Sequence, residues 1–161
     1  MTVAGTIAGG PKAAAALQAD TIISSSQPNI TSVGTLTGLT LSGGLTGTDI
    51  TASGYVLASV GNGISAAGTT QGTATGLTKQ VNVISSVNVS TAQGVRLQSA
   101  TVGMQIIIVN TTPSPVKVYP ANAAQIDGLG TNTSFSLGAG ARLMVVASST
   151  TQWYTMVGVY G

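Results

Sequence analysis

The apolar positions change rhythm along the chain. From residue 79 onward they alternate with polar ones in short bursts: Val81 and Val83, then Val87 and Val89, then Val95 and Leu97 on either side of Arg96. A period of two sends successive side chains to opposite faces of a strand. Residues 104–109 form an almost continuous apolar run, interrupted by Gln105. Runs of that kind belong to strands covered on both faces. Val116, Val118 and Tyr119 flank Lys117 and stop at Pro120, and residues 134–137, 142–147 and 153–159 supply further strand candidates. Turn signals separate them: residues 99–103, the proline-bearing 110–115, Asp127-Gly128 with Gly130, and Gly138-Ala139-Gly140, where a hairpin is expected. About eight short strands, spaced roughly 8–12 residues apart, predict a β-sandwich or small barrel over residues 79–161, with no helix.

The preceding stretch, residues 21–78, is built from Thr, Gly, Ser and Leu. Ile30, Val33, Leu36 and Leu39 recur every third position, Leu39 and Leu41 step by two, and Gly34, Gly38, Gly43, Gly44 and Gly47 punctuate the run. Mixed spacing predicts short strands and bends wound about an axis. Such a segment has little apolar mass to bury by itself. Three identical chains wrapped together would close its core, with Ile30, Val33, Leu36, Leu39 and Leu41 at the trimer interface. Residues 49–53 and 55–60 read as two short strands around Gly54. Residues 61–76, with Gly61, Gly63, Gly68, Gly72 and Gly76, read as a flexible connection. A domain boundary is expected near residue 78.

Residues 1–20 form a third piece. Residues 1–7 look extended and Gly9-Gly10-Pro11 is a break. Pro11 suits the first position of a helix, and the Ala-rich residues 12–19 have high helix propensity. Two turns of helix are not stable alone, so this arm needs a surface to dock on. The fold class expected is all-β: an N-terminal arm with a short helix, a trimeric fibre-like β segment, and a C-terminal β-sandwich or jelly-roll-like domain.

Composition narrows the chemistry. Of 161 residues, only 5 % are charged, from five Lys+Arg and three acids, where an average soluble domain has about 25 %. His, Cys and Glu are absent. Without them there is no Ser-His-Asp triad, no Cys-His pair and no His- or thiolate-held metal. The carboxylates are Asp20, Asp49 and Asp127, so a paired-acid site would have to come from these, within one chain or across subunits. An enzyme, a cofactor and a metal site are therefore not expected. The net charge of +2 leaves no electrostatic footprint for nucleic acid or an anionic membrane. No apolar run approaches the roughly 18 residues that span a bilayer. Lys12 falls too late for a signal peptide. Hydrophobic residues nevertheless make up 43 % of the chain. So much apolar character with so little charge predicts burial against other chains.

The candidate sites are few. Asp127-Gly128-Leu129-Gly130-Thr131-Asn132 lacks the spaced acids of a calcium loop and the Lys of a phosphate loop, and reads as turn chemistry. Trp153 and Tyr154 close the last strand. They suit either stacking on a sugar or receptor, or a core plug (Trp153) beside an interface residue (Tyr154). Arg96, Lys117 and Arg142 fall on strands and are too few for nucleic-acid affinity.

Ser24-Ser25-Ser26-Gln27-Pro28-Asn29-Ile30-Thr31-Ser32-Val33-Gly34-Thr35-Leu36-Thr37-Gly38-Leu39 resembles a segment that recurs in bacteriophage tail fibres and other trimeric virion appendages. Arg96-Leu97, Val102-Gly103-Met104, Val109-Asn110, Val118-Tyr119-Pro120, Gln125-Ile126, Ser136-Leu137, Ala139-Gly140 and Gln152-Trp153 resemble a β domain of tailed-phage virion proteins. The resemblance implies a non-enzymatic, trimeric structural component of a virion. With only about 20 residues before the fibre-like segment, it points to a capsid decoration (cement) protein. Such a protein would be assembled in the host cytoplasm and would sit on the capsid surface. Its partners would be two further copies and the major capsid protein, contacted through Val3, Ile7, Pro11, Lys12 and Leu17. The alternative is a short tail or head fibre that meets tail proteins or a host glycan, with Trp153 and Tyr154 as receptor contacts.

Overall fold

The computed structural model describes residues 38, 40–45, 47, 49, 51–88 and 91–156. The chain divides into two units, Met1–Ile50 and Thr51–Gly161. In the first, the described residues carry no helix or strand, and Leu41 is exposed. Val3, Ile7, Pro11, Lys12 and Leu17 of the expected arm lie outside the described residues, as do Ile30, Val33, Leu36 and Leu39.

The described part of the second unit is all-β, with ten strands: β1 (Val60–Ser65), β2 (Thr75–Gly76), β3 (Val81–Ser86), β4 (Gly94–Arg96), β5 (Gln105–Asn110), β6 (Val116–Tyr119), β7 (Gln125–Ile126), β8 (Phe135–Leu137), β9 (Arg142–Ala147) and β10 (Gln152–Thr155). They form a six-stranded sheet, β1-β3-β5-β9-β10-β7, and a four-stranded sheet, β2-β4-β6-β8. Through β6 the chain alternates between the sheets and every pairing is parallel: β1 with β3, β3 with β5, β2 with β4, β4 with β6. That is a β-solenoid. Val60 lies beside Val81 and Val81 beside Ile107, so one coil takes 21 residues and the next 26.

After β6 the direction reverses. β8 runs antiparallel on β6 and β9 antiparallel on β5, while β10 folds back on β9 and takes β7, parallel, on its far side. The solenoid is thus closed at one end by antiparallel strands, whereas β1 and β2 have a strand neighbour on one side only.

Several expectations change here. The jelly-roll pattern of antiparallel hairpins is replaced by stacked coils and an antiparallel end. Gly138-Ala139-Gly140 makes no hairpin: β8 and β9 lie in different sheets, and the turn is an arch between them. Leu137 and Leu143, on either side of it, both point into the core. Residues 61–76 are not a bare connection, because they hold most of β1, all of β2 and a tight turn. In that turn Gly68 has φ +67, and a Cβ there would lie 2.2 Å from the Thr73 carbonyl oxygen. Only glycine fits. Conversely, residues 49, 51–53 and 55–59 carry no strand. The pairings β1–β3 and β2–β4 cross residue 78.

The core lies between the sheets. Ile84, Ile106, Ile108, Leu143, Val145 and Trp153 enter it from one side and Val95, Val116, Val118 and Leu137 from the other. Each such side chain contributes about 1.5–3 kcal/mol when fully buried. Leu77 and Leu97 stack at the corner between sheets. Their coils are joined there by Leu77 N–H to Arg96 O at 2.8 Å and Leu97 N–H to Tyr119 O at 2.9 Å.

Candidate functional site

Strand alternation that fills the core also builds a second surface. In β3, β5 and β9 the inward positions are mostly buried, and the outward ones are Val81, Val83, Ile107, Val109, Met144 and Val146, with Ser85, Gln105 and Arg142 at the strand ends. The register aligns them in rows across the six-stranded sheet: Val60–Val81–Ile107–Met144, Val83–Val109–Arg142 and Gln105–Val146–Tyr154. Six of these residues are half-buried by one another, while Val60, Tyr154 and, just beyond β10, Met156 are about half exposed. Arg142 is the charged residue of the face, at the end of its row.

Antiparallel or solvent-facing sheets normally carry polar side chains on the wet side. Here both sides of β5 and β9 are apolar, as the run 104–109 predicted, yet the described residues of one chain cover only the inner side. Contiguous apolar surface of this kind marks a contact site. β9 carries the same signal as β5, Leu143-Met144-Val145-Val146-Ala147, which sequence reasoning had noted only for β5.

A shallow hollow of about 660 Å³ runs along the corner between the sheets, lined by Ser59, Lys79, Gln80, Gln98, Gln105 and their neighbours. Gln98 Nε2 lies 3.4 Å from Met104 Sδ. The lining has amides, hydroxyls and one ammonium but no carboxylate.

The remaining sequence candidates separate. Trp153 is completely buried in the core, beside Ala147 and Ile126, and cannot stack on a receptor. Its neighbour Tyr154 points outward onto the apolar face. Asp127 is a turn residue, with φ +50. Its Oδ1 accepts from Thr155 N–H at 2.8 Å and its Oδ2 from Thr155 Oγ1 at 2.7 Å, which pins the end of β10 to the turn. Arg96 and Lys117 lie in the four-stranded sheet and Arg142 in the six-stranded one, so the three do not form a single patch. Arg96 Nη1 donates to Gln71 O at 3.3 Å. No group of three metal-capable side chains occurs among the described residues, and no helix among them is long and apolar enough to cross a membrane.

No family model, no curated protein and no solved structure matches this chain.

Proposed function

We propose that this protein is a non-enzymatic structural component of a virion, acting as a homotrimer that decorates the assembled capsid. The observation that carries the self-association is the outer face of the six-stranded sheet, which is patterned for burial and almost free of charge. A face with one cation at its edge is covered by another copy of the chain at little electrostatic cost. Decoration would then work by linkage: a ligand that binds the assembled shell and not its parts stabilises the shell, and repeated weak contacts add through avidity. The place in the virion rests on the sequence resemblance of residues 24–39 and of the matching residues between Arg96 and Trp153. A second reading, a short tail or head fibre, draws support from the solenoid, since stacked coils suit an elongated shaft.

The test is the mass of the purified protein by light scattering, alone and after mixing with expanded empty capsids. The wild type should be trimeric and co-sediment with the capsids. Val109→Lys should be folded and monomeric, because the ammonium would be stranded in the apolar interface. A Val109→Lys protein of wild-type mass would overturn the assignment of the interface. A trimer that ignores capsids would favour the fibre.

A further inference from the structure

Tyr55, Val56 and Leu57 are 96 %, 82 % and 88 % exposed. Three consecutive large apolar side chains in water are unusual, more so where aromatics make up 4 % of the chain. Among the described residues they touch almost nothing. Ala58 and Ser59 separate them from Val60, which opens the row Val60–Val81–Ile107–Met144 of the uncovered face.

We propose that Tyr55-Val56-Leu57 is an exchanged strap, laid by each copy across the outer face of the six-stranded sheet of the next. The proposal rests on the self-association reading and names how the copies meet. Four observations support it. Residues 51–59 contain no charged residue, so covering them strands no ion. The face is apolar over β1, β3, β5 and β9, with Arg142 and Gln105 at its margins and the bonded Gln125 and Gln152 beyond, so the strap and that part of the face match in character. Residues 51–59 carry no strand of their own, and extended they would reach about 30 Å, more than enough to cross the apolar strands β1, β3, β5 and β9 at about 4.8 Å spacing. Finally, β1 is a poor edge for strand addition. Its register shifts after Gly61 and again after Ile64, and Gly63 has φ +70, which breaks the row of free backbone groups. The apolar face, not the β1 edge, is therefore the seat of the strap.

A strap-to-face contact joins unlike surfaces. Such contacts generate rings, whereas packing face on face generates a two-fold dimer. The exchange thus permits the trimer proposed above, where the rotation between copies closes.

The chain has no cysteine, so engineered pairs report contacts cleanly. Leu57→Cys combined with Met144→Cys, oxidised in the assembled full-length protein, should give intermolecular disulfides that run as closed trimers on a non-reducing gel. Either single variant should give none. Replacing Tyr55, Val56 and Leu57 together by Ser should weaken self-association by at least about a hundredfold while leaving the circular dichroism unchanged. If the protein is oligomeric but Leu57→Cys/Met144→Cys fails to cross-link while Val109→Cys cross-links to its own copy, the strap is refuted and self-association stands. If the wild type is monomeric at every concentration, self-association fails and the strap with it. A photo-cross-linker at position 55 that captures capsid subunits instead of another copy would also overturn the proposal.

Discussion

Asn110 ties the turn after β5 to the arch between β8 and β9, and its replacement tests the solenoid architecture. The side chain is completely buried. Its Nδ2 donates to Ser114 O and Gly138 O, both at 2.8 Å, with Leu137 O at 3.4 Å. Its Oδ1 accepts from Thr112 N–H at 3.0 Å and Thr112 Oγ1 at 2.7 Å. Asn110→Ala removes two good donations and two acceptances at once. Each is worth about 1 kcal/mol net, and a buried group left unpaired costs about 1–3 kcal/mol. Thr112 Oγ1 keeps a partner, because it lies 2.8 Å from Ser114 O. The expected loss is about 3–4 kcal/mol, a large share of the roughly 5–15 kcal/mol that holds a domain together. The midpoint of thermal unfolding should fall by about 10–20 °C. Asn110→Asp should be worse than Ala, since it sets a carboxylate against the carbonyls that now receive N–H groups. Urea unfolding followed by Trp153 fluorescence, at one protein concentration, measures both. A loss below about 1 kcal/mol for Ala, or a milder effect for Asp than for Ala, would refute the reasoning.

Two further substitutions probe the packing. In Gly94→Ala the new Cβ would sit 2.7 Å from Lys117 O and 2.8 Å from the Tyr119 ring, so stability should drop by about 2 kcal/mol, while Gly72→Ala, with nothing within 4 Å, should stay within about 0.5 kcal/mol in the same urea titration. Trp153→Phe should cost only about 1–2 kcal/mol, for lost volume, because the indole Nε1 has no hydrogen-bond partner among the described residues to lose. The wild-type Trp153 emission should be blue-shifted and indifferent to added glycans, and a glycan-dependent shift would return that residue to the surface.

Much of the strand pattern was legible. β3, β4, β5, β6, β8 and β9 fall where alternation or apolar runs placed them, because a period of two is imposed by one buried face whatever lies on the other side. The Asp127-Gly128 turn was legible for a local reason: Asp and Gly tolerate the positive φ that the turn needs. β1 and β2 were missed, since glycine and threonine gave them no apolar rhythm and parallel neighbours hold them instead. Trp153 could be read as core or as receptor contact, and only its packing between sheets decides for the core.

The sequence by itself determined that the chain makes short strands with tight turns, that it holds few groups capable of acid-base or metal chemistry, and that β5 wants cover on two sides. These are properties of composition and of local period. Tertiary structure alone decided which strands are neighbours. A strand's faces are written in its own residues, but its partners are set by where the chain returns after each corner. Stacked coils and the antiparallel end bring Val60, Val81, Ile107 and Met144, distant in sequence, into one row and make an apolar face of them. The apolar runs of β5 and β9 announce strands with two apolar sides, but the continuous face exists only once the strands are in register.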